Sequence, residues 1–160
     1  MLILRPTLKL AAKLKLEPLP DLPPSDRPIT DWCVRSFKCG RISYLIFSNT
    51  ASLFSFVTPQ RGVTNAKSMR TTFATAIHHN LDRTEHGQHH ASAILATMGD
   101  CQFSRCRNRS VLSSINDLTW MAQCHLERGD SIARVTTMIN QAPMGLLNMD
   151  NPARRFAALT

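Results

Sequence analysis

Two β-forming runs in the first half of the chain constrain its fold more than any other feature. Ile42, Tyr44 and Ile46 alternate with Ser43, Leu45 and Phe47; after Ser48-Asn49-Thr50-Ala51-Ser52 the run Leu53-Phe54-Ser55-Phe56-Val57 resumes. β-branched and aromatic residues on either side of an Asn-containing turn read as a hairpin. Successive strand side chains point to opposite faces, so apolar residues at both odd and even positions leave neither face to water. The hairpin is therefore expected at the centre of a sheet and covered on both sides. Pro59 closes its second strand, because proline has no N–H to give to a ladder. Trp32-Cys33-Val34-Arg35 adds a strand before the hairpin, and Cys101-Gln102-Phe103-Ser104-Arg105-Cys106 is a short strand candidate after it.

The start of the chain is basic and leucine-rich, which suits a transit peptide or an interfacial helix. A strand followed by a helix is preferred: Leu2-Ile3-Leu4 is apolar, Pro6-Thr7 breaks the run, and Leu10, Ala11 and Leu14 then recur at helical spacing. Residues 18–30, with Pro18, Pro20, Pro23, Pro24 and Pro28, form no regular element and read as a loop or polyproline II connection inside one domain. Helical periodicity returns over 65–80 (Met69, Phe73, Ala76, Ile77) and 83–98 (Ala91, Ile94, Leu95, Met98), with Gly99 as the stop. The cleanest apolar stripe is Val111, Leu112, Ile115, Leu118, Thr119, Ala122 and Leu126. Asn108 or Ser110 caps its start, and Gly129 ends it. Ser131 caps a further helix with Ile132, Val135 and Ile139 inward, and Asn151-Pro152 opens a last short one through Leu159. These elements predict a single α+β domain over residues 1–160. It has a small, mainly antiparallel sheet around a central hairpin, covered by four to five helices mostly in the C-terminal half.

Charge narrows the function classes. The 160 residues carry a formal net charge of +8, and no acid occurs from Trp32 through Leu81, where Arg35, Lys38, Arg41, Arg61, Lys67 and Arg70 stand. A surface of one sign attracts polyanions, so RNA, DNA or an acidic protein surface is the expected partner, weighed against a merely solubilising surface. No apolar run reaches the ~20 residues of a membrane span, so no membrane partner is expected. The five cysteines make an odd count and no secretory leader is evident, which argues against a disulfide framework and for reduced thiols in a cytoplasm.

Four constellations carry potential chemistry. Arg105, Arg107 and Arg109 alternate, so in an extended chain they share a face, beside a helix start marked by Asn108 and Ser110. Planar guanidinium donors next to free helix N–H groups suit phosphate or carboxylate, which makes Arg105, Arg107, Asn108, Arg109 and Ser110 a candidate anion site. Ser113, Asn116 and Asp117 form a polar face on the same helix. A Ser-Asp-His arrangement with His125 lacks a recognisable nucleophile elbow. His78, His79, His86, His89 and His90 crowd a short stretch, and His86 with His89 or His90 has metal-ligand spacing, yet no His-Glu-x-x-His pattern is present. A wet helical tip is the preferred reading, and no metal or other cofactor is expected. Cys33, Cys39, Cys101 and Cys106 would make a zinc site only if the two pairs met in space; buried small hydrophobes are the default. Cys106, between two arginines near a helix start, is the thiol expected to have a lowered pKa.

Several segments together resemble a known family: Leu4-Arg5-Pro6-Thr7 with Lys9-Leu10 and Lys13-Leu14; Asp31-Trp32; Asn49 and Leu53-Phe54-Ser55; Ile139-Asn140 with Pro143; Asn151-Pro152; and above all Asn108-Arg109-Ser110-Val111-Leu112-Ser113-Ser114-Ile115-Asn116-Asp117. The family consists of short bacterial proteins known only as a domain of unknown function. The resemblance implies one architecture over nearly the whole chain and an importance for residues 108–117, and it brings no activity. Members usually have Gly-Ser where this chain has Ser113-Ser114. Ser104-Arg105-Cys106-Arg107 stands in place of an acid often found in the family just before the Asn-Arg-Ser run, which weakens an acid-dependent reaction.

The leading expectation is a basic binding protein for an anionic partner, of the kind that serves as a mobile-element or phage accessory factor. The alternative is an enzyme acting on phosphodiesters or nucleotides through the Arg105–Asp117 segment. Whether the chain is an enzyme stays open at this point.

Overall fold

The computed structural model describes residues 1–82 and 85–160. Among these, five strands form one sheet: β1 (Leu2–Pro6), β2 (Asp31–Cys39), β3 (Ile42–Asn49), β4 (Ser55–Pro59) and β5 (Cys101–Phe103), in the order β4-β3-β2-β1-β5. The predicted hairpin is β3–β4, antiparallel with Phe47 opposite Phe56, and the added strand before it is β2, antiparallel to β3. Strand β1 runs parallel to both β2 and β5. The architecture is α+β as read from the sequence, and the sheet is mixed rather than mainly antiparallel. The parallel half is built by crossovers: the chain passes from β1 to β2 through a helix and the proline-rich loop, and returns from β4 to the other edge of β1 through two further helices; parallel strands cannot be joined by a tight turn. β1 is buried at every position, as parallel strands covered on both faces are.

Among the described residues, six α-helices pack around the sheet: α1 (Leu8–Lys13), α2 (Ala66–Leu81), α3 (Glu85–Leu95), α4 (Arg109–Glu127), α5 (Ile132–Gln141) and α6 (Pro152–Ala157). The helix expected over 83–98 begins on residues outside those described, and α3 is its described part. Short polar residues define the starts as expected. Asn108 accepts from the N–H groups of Ser110 and Val111, Ser131 from Arg134, and Asn151 from Arg154; Asn65 and Ser68 form a reciprocal capping box at α2.

Strand alternation sorts the core into two layers. Leu2, Leu4, Trp32, Val34, Leu45, Phe47 and Phe56 pack with Leu10 of α1, Met69, Phe73 and Ile77 of α2, Ile94 of α3 and Phe156 of α6. Trp32 is fully buried there, its ring 5.4 Å from both Phe56 and Phe73. On the other face Cys33, Phe37, Tyr44, Ile46 and Val57 pack with Val111, Ile115, Leu118 and Ala122 of α4 and Val135 and Ile139 of α5. Helix α4 lies against β2 and α5 against β4. The β1–β5 side of that second face is crossed by the proline-rich loop. No helix among the described residues is long and apolar enough to cross a membrane.

Candidate functional site

The site lies where α4 gives way to the loop. In β1 and β2, Leu2, Leu4, Trp32 and Val34 face the first layer, so Arg5, Asp31 and Cys33 face the second. Register sets Arg5 beside Cys33 and Ile3 beside Asp31. Arg5 thus emerges under the loop, only 7% exposed, and a buried charge needs a partner and hydrogen bonds. It has both. Its Nε and Nη2 donate to the two carboxylate oxygens of Asp31 at 2.7 and 2.9 Å. Nη1 donates to the carbonyls of Leu22 and Arg105 at 3.1 and 2.8 Å and to Ser104 Oγ at 3.1 Å, and Nη2 to the Pro23 carbonyl at 2.8 Å. Burial opposes the charge, yet Asp31 outweighs it and raises the Arg5 pKa above the ordinary arginine value. Asp31 also accepts the Ser25 N–H at 3.0 Å. One guanidinium therefore ties β1, β2, the proline-rich loop and the segment after β5 together. With its N–H groups all directed at protein acceptors, Arg5 is a clamp and not a free anion donor.

Beyond β5 the chain runs without regular structure from Ser104 to Asn108 and then enters α4. Ser104 is fully buried; its Oγ accepts the Leu22 N–H at 2.9 Å, and the Arg105 N–H donates to the Pro20 carbonyl at 3.0 Å. These bonds fix the segment so that Cys106 meets Cys33, with the Cys33 thiol donating to Cys106 across 2.7 Å. The Cys33 thiol donor, the Arg5 guanidinium and the Asn108 backbone N–H stabilise the Cys106 thiolate against the opposing effect of burial, and hold its pKa below the ordinary thiol value. Cys33, the donor in that bond and enclosed in the core, is pushed well above it.

A cavity of about 640 Å³ opens above this pair. Its apolar wall is Leu22, Pro23, Pro24, Pro28 and Val111; its polar lining includes Arg5, Asp31, Cys106, Arg105, Arg107 and Asn108. That volume lies within the range of small-ligand sites, and the mixture of apolar wall and few polar groups is typical of them. Arg107 Nε reaches Asp21 at 3.1 Å across the mouth, with both side chains largely exposed. The Arg105 guanidinium has no hydrogen-bond or ion-pair partner among the described residues, so it is the uncompensated cation of the wall.

The structure brings together part of what the sequence singled out. Arg105, Arg107 and Asn108 line the cavity; Arg109 and Ser110 do not, because the helix has begun and the alternation that would have set the three arginines on one face has ended. Ser113, Asn116 and Asp117 are exposed further along α4 and line no part of it. Arg109 and Asp117 form no ion pair with each other. His125 pairs with Asp130 at 2.8 Å, away from Ser113 and Asp117. In α3, His86 and His89 are exposed, while His90 turns inward, its Nδ1 bonded to the His86 carbonyl and its ring 5.0 Å from Phe156. No group of three or more His, Cys, Asp or Glu among the described residues is placed to hold a metal. Cys101 packs in the opposite layer from Cys33, so the four sulfurs do not converge. From the sequence, Arg5 and Asp31 carry no site role, and Cys33 reads only as a zinc ligand or a buried small hydrophobe. The available signal was a single arginine at the end of an otherwise apolar strand, which is unfavourable unless a buried acid awaits it.

A family model described as a domain of unknown function (DUF6933) matches residues 3–155. None of the curated proteins compared matches the chain.

Proposed function

The chain belongs to the DUF6933 family, a domain of unknown function, and on that premise we propose that it is a binding protein which takes an anionic partner at the cavity between the proline-rich loop and the start of α4. The observation that carries the reading is the unpaired guanidinium of Arg105 next to Arg107 on the rim of a cavity whose opposite wall is apolar. A partner with negative charge and flat or apolar groups suits both halves. Single-stranded nucleic acid has that chemistry, with a phosphate at Arg105 and Arg107 and a base against Pro23, Pro24 and Val111. Lys38, Arg41, Arg61 and Lys67 are exposed and form no ion pair with described residues, which adds attraction at longer range. The Asn108 side chain caps α4 and occupies two of its free N–H groups, so the arginines rather than the helix start supply the donors. Stoichiometric binding in a reducing, cytoplasmic setting is the mode of an accessory factor such as those of phages and mobile elements.

The test is fluorescence anisotropy with a labelled single-stranded oligonucleotide at about 50 and about 200 mM salt. Affinity is expected to fall steeply with salt, and R105A/R107A to lower the salt slope by about two contacts. Binding indifferent to salt, or unchanged in R105A/R107A, overturns the reading. Binding of an acidic peptide but not the oligonucleotide moves the partner to a protein surface.

A further inference from the structure

The thiol pair beneath the cavity, of which Cys106 alone lines it, is not needed for anion binding, and its geometry has a consequence of its own. We propose that Cys33 and Cys106 are a redox-active dithiol that closes to a disulfide by exchange with a small disulfide entering the cavity. Three observations converge. The sulfurs are 2.7 Å apart, so closing to the ~2.05 Å of a bond requires a shift of less than about 1 Å. Only one of the two is reachable: Cys106 lines the cavity, while Cys33 is 3% exposed on β2. Their surroundings also differ. Cys106 accepts hydrogen bonds from the Cys33 thiol and the Asn108 N–H and lies in the field of Arg5, whereas Cys33 donates and keeps its proton. An accessible nucleophilic sulfur backed by a buried protonated one is the arrangement in which the first attacks and the second resolves.

The exchange balances without any further oxidant. The Cys106 thiolate attacks one sulfur of RSSR′, forming a Cys106–SR mixed disulfide and releasing R′S⁻, which takes a proton from solvent. The Cys33 sulfur then attacks Cys106; the Cys33–Cys106 bond forms, the Cys106–SR bond breaks, and the Cys33 proton leaves with the departing thiolate as RSH. The two electrons lost by the protein thiols reduce RSSR′ to two thiols. Arg105 and Arg107 on the rim favour an RSSR′ that carries carboxylates, and the wall formed by Pro23, Pro24 and Val111 accommodates its apolar parts. Closure would also fasten the Ser104–Asn108 segment to β2, so the rim arginines and the thiols belong to one rigid unit.

The experiment treats the folded chain with oxidised glutathione and counts thiols by intact mass and peptide mapping. Cys39, Cys106 and Cys124 are all partly exposed, so accessibility alone does not select among them. Loss of two thiols is expected, with the peptide carrying Cys33 joined to that carrying Cys106 and both released by dithiothreitol. In C33S the reaction should stop at a glutathione adduct on Cys106; in C106S Cys33 should stay free. Modification concentrated at Cys39 or Cys124, a wild-type adduct on Cys106 that never resolves, or closure seen only under denaturing conditions would each overturn the proposal. Thermal melting of C33S and C106S, each expected to remain folded, separates loss of chemistry from loss of structure.

Discussion

One face of one sheet is built in two ways. Under α4 and α5, the β2–β4 part presents Phe37, Tyr44, Ile46 and Val57, all buried and all apolar. Next to it, the β1–β2 part presents Arg5 and Asp31 to a loop rather than a helix, with Cys33 beside Arg5 at the boundary between the two regions. The first region holds by area removed from water, so what a substitution costs there follows the volume it removes. The second holds by directed bonds, each of which needs its partner. Chemistry collects in the second because a proline-rich loop covers a sheet incompletely and exposes its carbonyls, which a helix would have used internally.

The largest expected effect comes from removing the clamp. Arg5→Ala leaves the Asp31 carboxylate buried without its counter-charge and strips donors from Leu22, Pro23 and Arg105. A destabilisation of about 3–5 kcal/mol is expected in urea unfolding. If the variant loses under about 1 kcal/mol, the charged region is not held in the way described and the contrast between the two halves fails. In the apolar half, Ile46→Ala removes a fully buried side chain from the α4–α5 face and should cost about 2–5 kcal/mol. Its diagnostic is what it leaves alone: the alkylation rate of Cys106 should match wild type. A changed rate would mean that the two regions are coupled.

A subtler variant probes the thiols. The Cys33 donor is the foremost cause of the lowered Cys106 pKa. Removing a donor that stabilises the thiolate must raise that pKa, so in Cys33→Ala the pH profile of Cys106 alkylation should move up toward the ordinary ~8.5, while Cys33→Ser, which retains a hydroxyl donor, should move it less. The sign is fixed: wild type reacts at lower pH than Cys33→Ala. Coincident profiles would show that Arg5 and the Asn108 N–H suffice without Cys33.

The same contrast explains what the sequence made legible. The stripe Val111, Ile115, Leu118, Ala122 and the alternation through Phe47 and Phe56 are local patterns, and each reports burial without reference to distant residues. The parallel half is different. Leu2-Ile3-Leu4 reads as a buried strand whichever neighbours it has, and its pairing with Cys101–Phe103 depends on a crossover that leaves no periodic trace. Likewise Arg105, Arg107 and Asn108 were legible as a basic helix start. Arg5 with Asp31 and Cys33 with Cys106 join residues 26 and 73 positions apart, and only the folded register makes them neighbours. Arg109 does not line the cavity for a local reason: a strand-like alternation cannot persist once helical rotation starts at that residue.

The smallest stability effect belongs to Arg107→Ala, and it is the sharpest separation of holding from binding. Arg107 and Asp21 are 65% and 47% exposed, so water screens their attraction and ordering two side chains offsets much of what remains. Less than about 1 kcal/mol should be lost on unfolding. Asp21→Ala should cost equally little, yet it frees Arg107 from its acid at the cavity mouth. If Arg107 meets an anionic partner, Arg107→Ala weakens binding and Asp21→Ala strengthens it, with opposite signs from two substitutions that are nearly silent in the melt. Parallel changes in both variants would mean that the ion pair shapes the mouth rather than competes with the partner, and the rim would then join the clamp as structure.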